Sequence, residues 1–298
     1  MQLIQLTDSA YQLRGGANAG LIVQDGQAVL VDTGLDRDTA KKILRALESL
    51  SLQLAGIVIT HAHADHFGGA ALLHSKTGAP VYAPGLEAAI VENPLLEPLY
   101  LFSGAAPPPE LRHKFTLAEA CPVDGLIEPG EVTIGGIPIQ AVAAPGHAPN
   151  QMMISGGGVC FVADACFAPE ILEKHGIPFY VDVTQAAATL ASLSFLDGMY
   201  AAFVPGHGEA VAFIRPWAGE NAARLAEIRQ AVTQALHEAS EPGDILLYAA
   251  NHLKVAIASP VIYYLTQTTV LACLSALEAT GAAAAHVVEN RLCWRITT

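Results

Sequence analysis

One ten-residue stretch constrains this chain more than any other: Thr60-His61-Ala62-His63-Ala64-Asp65-His66-Phe67-Gly68-Gly69. A short apolar run over 56–60 precedes it, and a helical pattern over 67–76 follows. In a turn between strand and helix, His61 and His63 can point the same way while Asp65 and His66 face a neighbouring point. Imidazole nitrogen and carboxylate oxygen together suit Zn²⁺, and also Fe or Mn. The stretch reads as a metal site on an α/β framework.

Three more candidates recur at matching places. His147, in Ala144-Pro145-Gly146-His147, follows a strand pattern over 137–143. Asp164 follows another over 159–163, and His207, in Pro205-Gly206-His207-Gly208, follows a third over 201–204. In α/β sheets, sites form beyond the carboxyl ends of strands, which would gather all these groups. The flanking glycines let the backbone turn sharply. A lone His after a strand is ordinarily a loop or packing residue, and a lone Asp a helix cap. Only the joint pattern carries the metal reading.

The rest of the chain is organised around that pattern. Its 298 residues allow one large domain, or a domain of roughly 200 residues with a small companion. Up to about residue 215, β-branched runs alternate with amphipathic helices. Asp25-Gly26 marks a hairpin turn. A helix is expected over 36–50, capped by Asp36 or Asp38, with Ile43, Leu44, Leu47 and Leu50 on one stripe. The segment 92–116 breaks the alternation with Pro94, Pro98 and Pro107-Pro108-Pro109, yet Leu95–Phe102 is too apolar for a solvated linker. A lid, a substrate wall, a subunit contact or an insertion packed on its own domain would each explain it. Beyond 215 come one long helix marked by Leu225, Ile228, Val232 and Leu236, short helices over 245–253 and 260–265, and a better one over 267–280. A hairpin about Glu289-Asn290-Arg291 closes the chain. The expected division is therefore 1–215 and a small winged-helix-like module, 216–298.

Composition excludes several classes. Hydrophobic residues are 52% and charged residues 14%, which rules out a disordered chain. The formal charge of −13 opposes a role in neutralising phosphates. Cys121, Cys160, Cys166, Cys273 and Cys293 are odd in number and scattered, which suits a reducing compartment. Cys160 and Cys166, on either side of Asp164, read as buried thiols. No apolar run approaches the roughly 20 residues of a membrane span, and no signal pattern opens the chain. The expectation is a soluble, cytoplasmic protein.

These motifs resemble the metallo-β-lactamase superfamily, specifically its hydrolase branch that includes glyoxalase II-like proteins. The resemblance runs from about Leu3 to Arg215 through H-x-H-x-D-H, P-G-H, the later Asp and G-H-G, with Val31-Asp32-Thr33-Gly34 similar to the family's early V-D-T-G. It implies an α/β fold, a four-layer αββα sandwich with helices outside two mixed sheets. Carried over, it implies that His61, His63 and His147 hold one metal and that Asp65, His66 and His207 hold a second. Asp164 would bridge the two, and Asp32 would orient a ligand without touching metal. β-Lactamases of this fold lack the bridging aspartate, so Asp164 argues against antibiotic hydrolysis.

The expected function is a metal-dependent hydrolase with two divalent ions, Zn foremost, acting on a small ester, thioester or lactone. Two cations about 3.5–4 Å apart lower the pKa of a shared water until hydroxide exists near neutral pH. Asp65 would also orient that nucleophile, making it the catalytic candidate. Within 171–183, His175 and Tyr180 are candidates for substrate contact or oxyanion support. A phosphodiesterase or ribonuclease would want basic residues near the site, where Lys76, Arg112, Lys114 and Lys174 are few. An iron-dependent oxidoreductase resembling persulfide dioxygenases would use one iron and fewer ligands. A binding protein that kept the fold would have lost ligands. Residues 221–298 carry five basic against six acidic residues, and 267–280 has no Lys or Arg, so nucleic acid is a poor partner for the module. Core packing, pocket closure or a homodimer contact suits it better.

Overall fold

In the computed structural model, which describes residues 1–237 and 240–297, the chain opens with a seven-stranded sheet whose spatial order is its sequence order. β1 (Gln2–Thr7), β2 (Ala10–Arg14), β3 (Ala19–Gln24) and β4 (Gln27–Val31) pair antiparallel. β5 (Gln53–Val58), β6 (Val81–Ala83) and β7 (Gly125–Leu126) add in parallel. Parallel neighbours need crossovers, and helices supply them. They are α1 (Arg37–Ser49), the pair α2 (Ala64–Phe67) and α3 (Ala70–Thr77), and the pair α4 (Gly85–Glu92) and α5 (Leu96–Leu101).

The second sheet has the order β12-β11-β10-β9-β8. β8 (Gly130–Ile134), β9 (Ile137–Ala143), β10 (Met152–Gly156) and β11 (Val159–Ala163) are antiparallel. The helices α6 (Pro169–His175) and α7 (Val183–Leu193) then lead to β12 (Ala202–Pro205), parallel to β11. The chain ends in α8 (Arg215–Ala235), α9 (Pro242–His252), α10 (Pro260–Ala279) and the hairpin of β13 (Ala283–Val288) with β14 (Arg291–Ile296).

Side-chain alternation builds the layers. Val29, Val31 and Val58 face a core shared with Ile139, Ile154, Val159, Phe161 and Val204 of the second sheet. Their neighbours Ala28, Leu30 and Ile57 face Ile43, Leu47 and Leu73 of α1 and α3. On the second sheet, Cys160, Val162 and Phe203 turn outward to Leu190, Leu225 and Ile228. Period-two burial on both faces of two stacked sheets gives the four layers αββα.

Several local expectations meet their physical causes here. Asp25 and Gly26 both take positive φ (49° and 76°), as a two-residue hairpin turn requires. Glu289 and Asn290 do the same at 50° and 66°. Asp36 caps α1 by accepting from Thr39 N at 3.0 Å. The helix expected over 67–76 is instead two, interrupted at Gly68-Gly69, where the chain passes so close to the Leu35 carbonyl that a side chain at Gly68 would collide with it. Pro98 does not break α5, because it lies in the first turn, where an amide has no helical acceptor. Segment 92–116 therefore contains a helix, and it packs on α10, with Phe102 edge-on to Tyr264 at 5.4 Å.

The C-terminal region differs from expectation in two ways. Residues 260–279 form one continuous helix, not a short piece and a longer one. Against the expectation of no membrane-length apolar run, α10 is long and apolar enough to cross a membrane by length and composition alone. Here it packs against α7, α8 and α9. Within 216–298, of which 238–239 and 298 lie outside the described residues, Leu225, Ile228, Val232, Ile245, Val270 and Leu274 share one apolar cluster with Val162, Leu190 and Phe203.

Candidate metal centre

Every candidate ligand sits just past a strand end. β4 delivers Asp32, β5 the loop of His61–His66, β9 His147, β11 Asp164 and β12 His207. Both sheets present these ends to one place. Asp32 (φ 58°) and Ala163 (φ 48°) are left-handed, a strain of about 1–3 kcal/mol each that turns the chain sharply beside Thr60 and Asp164.

Ligating atoms converge in three overlapping groups: His61, His63 and His147; His61, His66 and Asp164; and Asp65, His66 and His207. Within each group the atoms lie within 4.8 Å of one another. His147 Nε2 is 2.8 Å from His63 Nδ1 and 3.5 Å from Asp164 Oδ2. His66 Nε2 is 3.6 Å from Asp164 Oδ1. His207 Nε2 is 3.3 Å from Asp65 Oδ2 and 3.7 Å from Asp164 Oδ2. Asp164 thus stands between the two clusters, one oxygen towards His66 and the other towards His147 and His207.

The far side of each ring is fixed. His66 Nδ1 donates to Asp32 Oδ2 at 2.8 Å, His147 Nδ1 to the Phe179 carbonyl at 2.8 Å, and His207 Nδ1 to the Gly16 carbonyl at 2.6 Å. Thr60 Oγ1 spends its hydrogen on Asp32 Oδ2, so it accepts from His61 Nδ1 at 3.1 Å. Thr60 N also donates to Asp32 Oδ1 at 2.8 Å. With each Nδ1 hydrogen committed, Nε2 is the atom that His61, His66, His147 and His207 can offer to a cation.

Electrostatics separates the rings. Burial, with neighbouring rings, pushes His61 far down and His63 to about 3, and burial also lowers His147. These three are neutral donors at neutral pH. Burial opposes charge on His66 too, but Asp164, Asp65 and Asp32 outweigh it and raise His66 to about 10. Asp164 and Asp65 likewise raise His207 to about 9 against burial. Both carboxyls are lowered despite burial, Asp65 by His66 and His207, Asp164 by His207, His66 and His147. In the protein alone, protonated imidazoles provide the positive charge that these carboxylates require.

The residues fit a metal site by their own chemistry. His61 Nε2, His66 Nε2 and Asp164 Oδ1 are buried with no hydrogen-bond partner among the described residues, an arrangement native proteins avoid unless another group completes it. A side chain at Gly206 would collide with Asp164 Oδ1 and crowd His66.

The structure thus brings together His61, His63, Asp65, His66, His147, Asp164 and His207, with Asp32 behind them. His175 is exposed at the end of α6, near enough to feel the charges of His207, Asp164 and Asp65. Tyr180 differs from its expected role. It is 2% exposed in the apolar core, edge-on to Phe167, and offers a substrate almost no surface. Cys160 and Cys166 are buried free thiols, and burial pushes Cys160 up to about 12.

Sequence reading missed Thr60 and Glu87. Glu87 is 1% exposed and accepts from Ala62 N and Asn150 N, both at 2.9 Å, tying the His61–His66 loop to the His147 loop. Its signal was a lone acid in the apolar stretch Gly85-Leu86-Glu87-Ala88-Ala89-Ile90.

The chain is similar to known proteins. A hydroxyacylglutathione hydrolase of Albidiferax ferrireducens is 39% identical over 84 residues, 28% of this chain and 29% of that protein. One of Dechloromonas aromatica is 30% identical over 179 residues, 60% of this chain and 53% of that protein. The chain thus spans about half, or less, of the length of these curated relatives. A metallo-beta-lactamase family protein from Thermus thermophilus has the same fold at TM-score 0.73 and 20% identity, covering 98% of this chain and 100% of that one. The sequence profile of the metallo-beta-lactamase superfamily matches residues 13–226, most of the chain and every ligand named above, and the chain belongs to that superfamily.

Proposed function

We propose that the protein is a hydrolase that uses two divalent metal ions, Zn²⁺ the best fitted, to cleave a small ester, thioester or lactone. One observation carries the reading: seven ligands in two clusters share Asp164, with each Nε2 ligand's tautomer set from behind. His61, His63 and His147 would hold one ion, Asp65, His66 and His207 the other, and Asp164 both. Bound there, such ions supply an acidified water and a Lewis acid for the scissile carbonyl.

The chain's own groups do the rest. Asp65 stays ionised, so its carboxylate can orient the attacking water by accepting a hydrogen bond from it. The fixed Nδ1 contacts hold four rings without reorganisation during turnover. The Phe179 ring, 5.3 Å from His63 and 5.7 Å from His147, walls one side of the site and limits water there. His175, exposed and within reach of the site's charges, would contact the substrate. Two relatives carry a name that states hydrolysis of an acyl-glutathione, which supports a thioester within the substrate class. The formal charge of −13 favours a small neutral or acyl substrate over nucleic acid.

The test is elemental analysis of anaerobically purified protein, followed by an ester, thioester, lactone and phosphodiester panel on the same sample. Two zinc or manganese ions per chain with turnover of an acyl substrate would support the proposal. One iron per chain, with oxygen uptake on thiol persulfides and no acyl hydrolysis, would refute it.

A further inference from the structure

The outer partner of His147 is a main-chain carbonyl in a loop. Phe179, whose carbonyl accepts from His147 Nδ1, lies in 177–181, a stretch with no helix or strand between α6 and α7. A loop carbonyl fixes a ring only as well as the loop is itself fixed. Here a residue from the far end of the chain fixes it. Thr269 of α10 donates through Oγ1 to the Pro178 carbonyl at 2.8 Å and accepts from Tyr180 N at 2.9 Å. One hydroxyl therefore grips the main chain on both sides of Phe179.

That use of a helical threonine is unusual. Threonines within helices commonly bond back to the carbonyl four residues earlier. Thr266 does so to Ile262 O at 2.7 Å, and Thr268 to Tyr264 O at 2.9 Å, on the same helix. Thr269, with no exposed surface, spends both its donor and its acceptor on the 177–181 loop instead.

We propose that Thr269 is a positioning residue for the metal ligand His147, making α10 a structural part of the metal centre. The inference rests on the metal-hydrolase reading of the site. The path is short: Thr269 Oγ1 holds Pro178 and Tyr180, these hold the Phe179 carbonyl, and that carbonyl orients His147 so that Nε2 meets His63 Nδ1 and Asp164. The same grip sets the Phe179 ring against His63 and His147. The C-terminal region then tunes both the affinity of the three-histidine cluster and the wall beside it.

The test uses full-length chain stripped of metal and titrated with Zn²⁺ against a chromophoric chelator. Thr269→Val keeps the shape and removes the hydroxyl; Thr269→Ser keeps the hydroxyl. Thr266→Val removes a hydroxyl from the same helix that bonds only locally. Loss of an outer partner of a metal ligand weakens binding about 10- to 100-fold. Acting through one further hydrogen bond, T269V should weaken Zn²⁺ at one of two sites about tenfold, the low end of that range, while T269S and T266V bind as wild type. If T269V does not fold, T269A takes its place. Wild-type affinity in the hydroxyl-free variant, or equal weakening in T266V, would overturn the inference and leave the metal reading standing. A wild-type chain that takes up no Zn²⁺ would overturn both.

Discussion

Asp32→Asn is the sharpest available probe of how the site is assembled. The Asp32 carboxylate accepts three hydrogen bonds of 2.8 Å, one at Oδ1 from Thr60 N and two at Oδ2 from Thr60 Oγ1 and His66 Nδ1. Asparagine has the same shape and tolerates the left-handed backbone (φ 58°), so strain is not a confounder. It can face only one of the two positions with an oxygen. If the amide NH₂ stands at Oδ2, His66 must flip its proton to Nε2, the atom that would bind the cation. If it stands at Oδ1, Thr60 N is left against a donor, next to His61. Either arrangement costs about 1–3 kcal/mol, the penalty of an unsatisfied buried group, or about 5- to 150-fold in affinity. Zn²⁺ titration of the metal-stripped variant should therefore fill one site at concentrations that fill two in wild type. Two sites with unchanged affinity would refute both the tautomer assignment and the role of Asp32 as orienting residue.

The remaining predictions concern the same centre. Gly206→Ala puts a methyl group where Asp164 Oδ1 lies, so elemental analysis should find fewer than two metals per chain although no ligand has changed. His66 and His207 are raised to about 10 and about 9 without metal, so both are protonated at pH 7. Metal uptake must then release protons, measurable by calorimetry in buffers of different ionisation enthalpy, and apparent affinity should rise with pH until about 9–10. For the metal-free protein the sign is opposite. The stabilisation from these raised groups is complete below their usual value of 6.5 and disappears as pH climbs through about 9 and 10, so its Tm should fall across that window.

The ligands were legible because their residue types are restricted and because strand ends are where such groups meet. His147, Asp164 and His207 could be placed together from the strand patterns before them. What held them was not legible. The Phe179 and Gly16 carbonyls position His147 and His207, and a main-chain carbonyl carries no residue identity to read. The expected break between 265 and 267 falls at Thr266, which opens the threonine-rich stretch Thr266-Gln267-Thr268-Thr269 and has modest helix propensity. Tertiary packing overrides that propensity, and two of the hydroxyls satisfy themselves within the helix. β10 escaped notice because Met152–Ile154 are all buried, leaving no polar alternation to reveal a strand. Tyr180 was expected near the metals from its place after Asp164, but its ring lies in the apolar core while Thr269 accepts from its amide.

The strand order has a consequence for the order of assembly. The first sheet uses residues 2–126 and the second 130–205, and within each, strands adjacent in space are mostly adjacent in sequence. Within each sheet the antiparallel pairs close short loops and each parallel pair closes one crossover, so no pairing needs strands from the other half. The ligands, however, are split between the halves: His61, His63, Asp65 and His66 follow a strand of the first sheet, while His147, Asp164 and His207 follow strands of the second. High affinity therefore belongs to the docked pair and not to either half. A metal ion acts as a rivet driven after the plates are aligned, adding about 2.7 kcal/mol to the native state at one hundred times its Kd. Its loss would withdraw that contribution from the seam and leave the apolar core between the sheets to hold them together.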